Sequence, residues 1–151
     1  MKKALLLIGS PRGMKSTSAS LGGYLLERLW DNGWETESVH VQSALKSEKR
    51  TSEMLSAIEN SGLVAIAFPL YVDGPPAAVI RAMEIIAENR PKAPEKKQAL
   101  VSIINCGFPE ASQNKFAQEM CRIFAKKAEF SWAGGLAMGC GECIHGTPLE
   151  K

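Results

Sequence analysis

The segment 9–18 holds the residues with the clearest capacity for chemistry. It places Arg12, Lys15 and the hydroxyl run 16–18 just before a stretch of helical periodicity. Backbone N–H groups at a helix N-terminus, with cations beside them, suit a phosphate dianion. One hydroxyl would cap the helix in any case, but capping alone does not call for three hydroxyls and two cations. The segment therefore predicts a phosphate site.

Two common nucleotide motifs do not fit this segment. Gly9 and Gly13 are separated by three residues, and Met14 stands before Lys15, whereas a Walker loop needs four residues between its glycines and Lys directly after the second. A dinucleotide fingerprint would need a third glycine, which is not in place. Neither ATP hydrolysis nor a Rossmann NAD site is supported.

Two further loops carry features suited to a planar ligand. Tyr71, with apolar neighbours in the segment 68–76, could pack on a ring, although a rigid turn with Tyr71 plugging the core is an equally good account. Asn105 and Gly107 follow another apolar run, where the backbone could approach a ring closely or form an ordinary turn. The convergence of three such loops is a stronger signal than any one of them.

Short apolar runs at 4–8, 63–68 and 99–104 predict strands buried on both faces of a parallel sheet. The run 34–41 is polar enough for an edge strand, and 130–138 is a fifth strand whose Gly134-Gly135 pair indicates a bulge. The resulting fold is α/β, a doubly wound five-stranded parallel sheet of flavodoxin-like order 2-1-3-4-5. Ligands bind such sheets where the strand order reverses, here between the first and third strands.

Stretches of helical period lie between the strands and predict helices with one apolar face each. The apolar positions are Leu21, Leu25 and Leu29; Leu55 and Ile58; Val79, Met83 and Ile86; and Phe116, Met120, Ile123 and Phe124. Right-handed crossovers put the first helix on one sheet face and the next three on the other. The final helix that should cover the first face is missing, so either the sequence is a truncated or unusually short member of its fold, or another subunit covers the exposed face. We expect a homo-oligomer, a dimer or a tetramer.

Composition excludes several classes. The 151 residues suit one domain spanning 1–151, and a net charge of +2 with scattered basic residues argues against nucleic acid as a partner. No apolar run approaches the roughly 20 residues that span a bilayer, so we expect a soluble cytoplasmic protein without a membrane partner. Four cysteines are too few for a disulfide scaffold, and reduced thiols are expected.

Cys140 and Cys143 have Cys-x-x-Cys spacing, with His145 two residues later. Such a pair could be a redox dithiol or contribute metal ligands, but a zinc site needs a fourth ligand, and the favoured interpretation is incidental spacing without a metal. A weaker hypothesis places Cys106 and this pair on one rim of the sheet. His40 is expected to be solvated on the edge strand, and Cys121 to be packed within a helix.

The Gly-Ser-Pro-Arg sequence with its Ser/Thr cluster, followed by Pro-Leu-Tyr after the third strand, resembles the NAD(P)H-dependent FMN reductase family and its multimeric flavodoxin-like and iron–sulfur flavoprotein relatives. The compact cysteine set of the iron–sulfur branch is not present, so no cluster is predicted. The resemblance implies that the FMN phosphate is held by Ser10, Arg12, Ser16, Thr17 and Ser18. It also implies that the isoalloxazine is flanked by Pro69, Leu70, Tyr71, Val72 and Asp73, with Asn105 and Gly107 on its far side.

The implied activity is hydride transfer from NADH or NADPH, as transient donor, to FMN, and then electron transfer to a quinone, flavin or metal-type small-molecule acceptor. The flavin carries the redox chemistry, so no catalytic side chain is predicted. One alternative is an electron carrier without NAD(P)H activity, which the charge of +2 disfavours because flavodoxins are usually strongly acidic. The other is a flavin-free binding module on the same fold.

Overall fold

The computed structural model describes residues 2–92, 94 and 97–149. Its sheet consists of β1 (Lys3–Ile8), β2 (Glu35–His40), β3 (Leu63–Pro69), β4 (Ala99–Asn105) and β5 (Ser131–Met138). All neighbouring strands pair in parallel, in the order β2-β1-β3-β4-β5. The predicted α/β class and strand order are confirmed.

In the described residues, five α-helices flank the sheet: α1 (Thr17–Asp31), α2 (Val41–Ala44), α3 (Glu48–Glu59), α4 (Ala77–Asn89) and α5 (Lys115–Lys127). Single 3₁₀ turns occur at Gly13–Lys15, Ala111–Asn114 and Gly141–Cys143. Pro76 precedes α4, as its fixed φ favours, and Ser47 caps α3 by accepting the Arg50 N–H. Within the described ranges, none of the helices is both long and apolar enough to cross a membrane.

The strands differ in burial as their sequences predict. The inner strands β1 and β3 are almost wholly buried, whereas β2 alternates between exposed and half-buried positions at the sheet edge. Lys3 and Glu37 form an ion pair of 2.7 Å across β1 and β2. The predicted second strand is too long, because Val41 leaves the strand to begin α2 and is completely buried there.

The Gly134-Gly135 pair forms the expected irregularity. Leu100 pairs with Trp132 and Val101 with Gly134, so Ala133 is an extra residue in β5. Gly134 has φ +111°, which a residue with a side chain rarely adopts. The bulge bends the second edge strand at its middle.

Helix α1 covers one sheet face and α2 to α5 cover the other, as predicted. The apolar face predicted for α5 is partly wrong. Its core-facing residues are Ala117, Cys121, Phe124 and Ala125, whereas Phe116, Met120 and Ile123 are exposed. The packed side thus combines small side chains with Phe124, and Phe116, Met120 and Ile123 form a second apolar stripe on the outer side.

Candidate functional site

The loops that follow β1, β3 and β4 meet at the carboxyl edge of the sheet around a pocket of about 200 Å³. This is the position at which the strand order reverses, and the buried strands hold the loop bases in place. Most of the predicted site residues line this one pocket: Ser10, Arg12, Ser16, Thr17, Ser18, Pro69, Leu70, Tyr71, Asn105 and Gly107.

Ser16 is the N-cap of α1. Its hydroxyl accepts the N–H of Ala19 at 3.1 Å and donates to the carbonyl of Gly13 at 2.6 Å, so its role in this structure is to start the helix. Thr17 and Ser18 are the first two helical residues, whose N–H groups have no acceptor within an α-helix. These two donors, together with the positive end of α1, make this the part of the pocket best suited to an anion.

The hydroxyls of Thr17 and Ser18 already have partners. Thr17 Oγ1 donates to the carbonyl of Gly141 at 2.7 Å, and Ser18 Oγ donates to Asn105 Oδ1 at 2.9 Å. A phosphate only accepts hydrogen bonds, so either hydroxyl would have to turn away from its partner to contact it. Arg12 is exposed, lies on the pocket wall and pairs with no carboxylate in the described part of the chain. Its guanidinium is the donor most available to an anion.

His40 supports the first loop, and the expectation that it is merely solvated is wrong. Its Nε2 lies 3.0 Å from the carbonyl oxygen of Ser10, and its Nδ1 lies 2.9 Å from Ser43 Oγ. Since a carbonyl only accepts, Nε2 carries the hydrogen of that bond. The ring also lies beside Gly13, where a Cβ would be 3.4 Å from His40 Cε1, an ordinary van der Waals contact, so glycine is favoured there by its φ of +57°. His40 therefore ties the end of β2 to the loop, a tertiary contact that no local pattern reveals.

The loop after β3 is a tight two-residue hairpin. Tyr71 and Gly74 exchange both backbone hydrogen bonds, at 2.8 and 3.0 Å, around Val72 and Asp73. Both central residues have positive φ, +45° and +62°, which is costly for a β-branched valine. Val72 is fully exposed at the hairpin tip, so the structure places Val72 and Asp73 outside the pocket lining, while Tyr71 stands at its edge half-exposed.

The loop after β4 joins the other two. Leu70 N–H donates to the carbonyl of Asn105 at 2.8 Å, while the Asn105 side chain, 7% exposed, accepts from Ser18. Asn105 thus links two neighbouring segments: its side-chain Oδ1 accepts from Ser18, after β1, and its backbone oxygen accepts from Leu70, after β3. This network links the α1 end of the pocket to its Tyr71 end.

The C-terminal segment, residues 139–149, forms a wall that the sequence did not predict. The Cys140 N–H donates to Phe108 O and the Gly141 N–H to Cys106 O, both at 2.8 Å, which draws Gly141, Glu142 and His145 to the pocket. Gly146 lies so close to the first loop that a Cβ there would be 2.5 Å from Lys15 O. The glycine-rich composition of this segment was the available signal for such close backbone approaches.

The cysteines separate into two groups. Cys106 and Cys121 are buried, and burial raises the pKa of Cys121 to about 12. Cys140 and Cys143 are exposed, and all four thiols are free. Within the part of the chain that the structure describes, no group of three His, Cys, Asp or Glu side chains could hold a metal ion.

Neither a protein-family model nor a curated protein sequence matches this chain. Solved structures do. NAD(P)H:quinone oxidoreductase from Methanothermobacter marburgensis is similar with a TM-score of 0.70 at 12% identity, over 95% of this chain and 90% of that one. The FMN-dependent NADH-azoreductase from Bacillus anthracis, in complex with FMN, gives 0.64 at 12% identity over 93% and 88%.

Rubredoxin oxygen:oxidoreductase from Desulfovibrio gigas is similar with a TM-score of 0.68 at 13% identity. The match includes 91% of this chain but only 31% of that longer protein. The fold is flavodoxin-like. Solved structures that share it include NAD(P)H-dependent quinone reductases and FMN-dependent azoreductases, in agreement with the resemblance in the loop sequences.

Proposed function

We propose that this chain is an FMN-binding oxidoreductase that takes electrons from NADH or NADPH and passes them to a small-molecule acceptor of the quinone, flavin or metal-complex type. The observation that carries the proposal is the meeting of three loops at the switch point. There, unpartnered helix N–H groups and Arg12 face the same pocket as Tyr71 and the Asn105 loop. A phosphate and a planar ring joined in one ligand match this combination.

In this proposal the pocket residues bind and orient the cofactor. Arg12 and the N–H groups of Thr17 and Ser18 hold the phosphate, Pro69, Leu70 and Tyr71 contact one side of the ring, and Asn105 and Gly107 contact the other. FMN supplies the chemistry of hydride acceptance and electron release when it is bound. A volume of about 200 Å³ is smaller than a typical small-molecule site, so part of FMN would remain outside the pocket and accessible to a second substrate.

The two alternatives remain distinct from this proposal. An electron carrier would use the same FMN site without accepting hydride from a nicotinamide. A binding module would keep the fold but take no flavin. The net charge of +2 favours the reductase over the carrier, since carriers that dock on protein partners rely on strong charge complementarity.

A visible spectrum distinguishes the three. Purified protein is titrated with FMN, and NADH or NADPH is then added without oxygen. If NADH or NADPH bleaches the flavin absorbance, the reductase is supported. If the bound flavin stays oxidised, the electron carrier is supported instead. A chain that binds no FMN at any concentration would eliminate both redox functions.

The phosphate assignment is tested by Arg12→Ala with two ligands. Loss of a charge-assisted hydrogen bond of about 1.5–3 kcal/mol should weaken FMN binding roughly 10- to 100-fold. Riboflavin has no phosphate, so its affinity should not change. Arg81→Ala, an exposed arginine on α4 paired with Glu84, is the matched control. Equal losses for FMN and riboflavin would show that Arg12 does not contact the phosphate.

The homo-oligomer expected from the sequence stays a prediction. An apolar groove of about 420 Å³, lined by Leu25, Ile103 and Leu136 among others, lies beside α1 over the β4–β5 half of the sheet. Sedimentation at micromolar concentration should show a dimer or tetramer. A monomer would contradict the expectation.

A further inference from the structure

We propose that Cys140 and Cys143 form a thiol–disulfide exchange site on the rim of the pocket, with small-molecule disulfides as its substrates. The proposed function does not use these thiols. Both are exposed, whereas Cys106 is 3% exposed and Cys121 is completely buried. Exchange requires contact with an external disulfide, so only this pair can react without unfolding.

The backbone between the two cysteines brings them within bonding range. Cys143 N–H donates to Cys140 O at 3.0 Å and closes a turn over Gly141 and Glu142. A hydrogen-bonded turn of four residues keeps its end Cα atoms within about 7 Å, and a disulfide needs roughly 4.4–6.8 Å. The turn therefore holds the two Cα atoms at a separation that a disulfide can span.

The turn is held at its start by the rest of the fold. The N–H groups of Cys140 and Gly141 bond to the loop after β4, and a Cβ at Gly139 would lie 2.1 Å from Pro109 O. Cys140 itself has φ +50°, a conformation that a non-glycine residue adopts only when its surroundings impose it. This anchoring keeps the first thiol at a fixed position relative to the second. Pre-organisation favours the intramolecular disulfide over a persistent mixed disulfide.

The exchange balances without another reactant. One protein thiol loses its proton and attacks the external disulfide, whose other sulfur leaves with the bonding electron pair and takes up a proton. The second protein thiol then attacks the mixed disulfide and releases the second small thiol. Two electrons pass from the protein dithiol to the substrate, which becomes two thiols.

The same turn touches the anion-binding end of the pocket. Gly141 O accepts the hydroxyl of Thr17 at 2.7 Å, and Glu142 lies on the pocket wall. Closing a disulfide across this turn would restrict how far Gly141 O and Glu142 can adjust when an anion enters the pocket. Oxidation should therefore change the affinity of the pocket for FMN, a consequence that rests on the proposed function, whereas the exchange itself does not.

The test equilibrates the full chain in buffers of oxidised and reduced glutathione, followed by acid quenching, alkylation and peptide mass mapping. We expect one two-electron transition, with loss of two hydrogens in the peptide that contains Cys140 and Cys143 and with Cys106 and Cys121 still reduced. Cys140→Ser and Cys143→Ser should each leave one thiol that stops at the glutathione adduct. Cys121→Ala, the control, should keep the transition.

The proposal is overturned if the wild-type chain forms only glutathione adducts, or stays fully reduced, at every ratio. FMN titration of the oxidised and reduced protein then tests the link to the pocket. We expect at least a threefold difference in affinity, which the Cys140→Ser/Cys143→Ser double variant should abolish; equal affinities would refute the link. If no FMN binds at all, the proposed function fails, but the mass data still show whether Cys140 and Cys143 form the exchange site.

Discussion

The two faces of the sheet carry hydrophobic cores of different size. We call the face under α2 to α5 the thick face and the face under α1 the thin face. Among the described residues, the face under α2 to α5 holds 21 buried apolar residues, against seven on the face under α1. The thinner side is completed by half-buried side chains that include Ile144 and Leu149 of the C-terminal segment, and it leaves a groove beside α1. The pocket begins at the N-terminus of α1, on this thinner side. The thick face thus holds most of the core, and the thin face carries the N-terminus of α1 and the C-terminal segment that line the pocket.

Two neighbouring isoleucines on β4 allow the packing of the two faces to be compared. Ile104 is completely buried on the thick face, and Ile103 is 5% exposed and borders the groove. Truncation to Ala removes the same atoms from both, but Ile104 loses contacts on all sides. We expect about 4 kcal/mol of lost unfolding free energy for Ile104→Ala and about 2 kcal/mol for Ile103→Ala, measured by urea denaturation. Equal losses would mean that the two faces pack equally well.

Adjacent glycines in α1 test how closely that helix lies on the thin face. A Cβ on Gly22 would lie 2.5 Å from Leu6 Cδ1, whereas one on Gly23 would meet nothing within 4 Å. Gly22→Ala should destabilise by about 1–3 kcal/mol through overpacking. Gly23→Ala should instead stabilise by about 0.5–1 kcal/mol, since alanine favours the helix. If thermal unfolding showed Gly22→Ala to be more stable than Gly23→Ala, the close approach of α1 to the sheet would be contradicted.

The buried thiol of Cys121, on the thick face, predicts that the free energy of unfolding depends on pH. Burial raises the pKa of Cys121 from 9.0 to about 12, so the folded chain keeps this proton where the unfolded chain releases it. The stability from this group is complete below pH 9 and is lost as the pH rises towards 12, by at most about 1.4 kcal/mol per pH unit. Urea denaturation of wild type and Cys121→Ala at pH 8 to 11 should show a shallower decline for the variant. Parallel curves would indicate that water reaches the thiol.

Local sequence patterns were sufficient for the sheet and for most of the pocket. Continuous apolar runs identify β1, β3 and β4 because both faces of those strands are covered, and the switch-point rule then locates the loops. The site residues of the first loop follow from their types and their place before a helix. Their individual roles do not, since hydroxyls that seemed free for an anion bond to Gly13, Gly141 and Asn105.

The elements that were missed depend on contacts distant in sequence. The ring of His40 reaches the Ser10 carbonyl across 30 residues, and Gly141 of the C-terminal segment reaches Thr17 across 124 residues. The exposed stripe of α5 was misassigned because helical periodicity cannot decide between two apolar faces of one helix. Val72 lies outside the pocket lining because it is at the tip of a two-residue hairpin. The sequence does not predict this hairpin, since positive φ is unfavourable for valine.

The hydrogen bond between Thr17 and Gly141 spans 124 residues of sequence, which affects how the protein is made. During synthesis the chain emerges from its N-terminus, so residues 16–18 leave the ribosome long before Gly141 does. The wall of the pocket is added only after residues 139–149 have been translated. We expect a nascent chain to complete the pocket late, and under the proposed function cofactor capture would follow the assembly of the fold rather than initiate it.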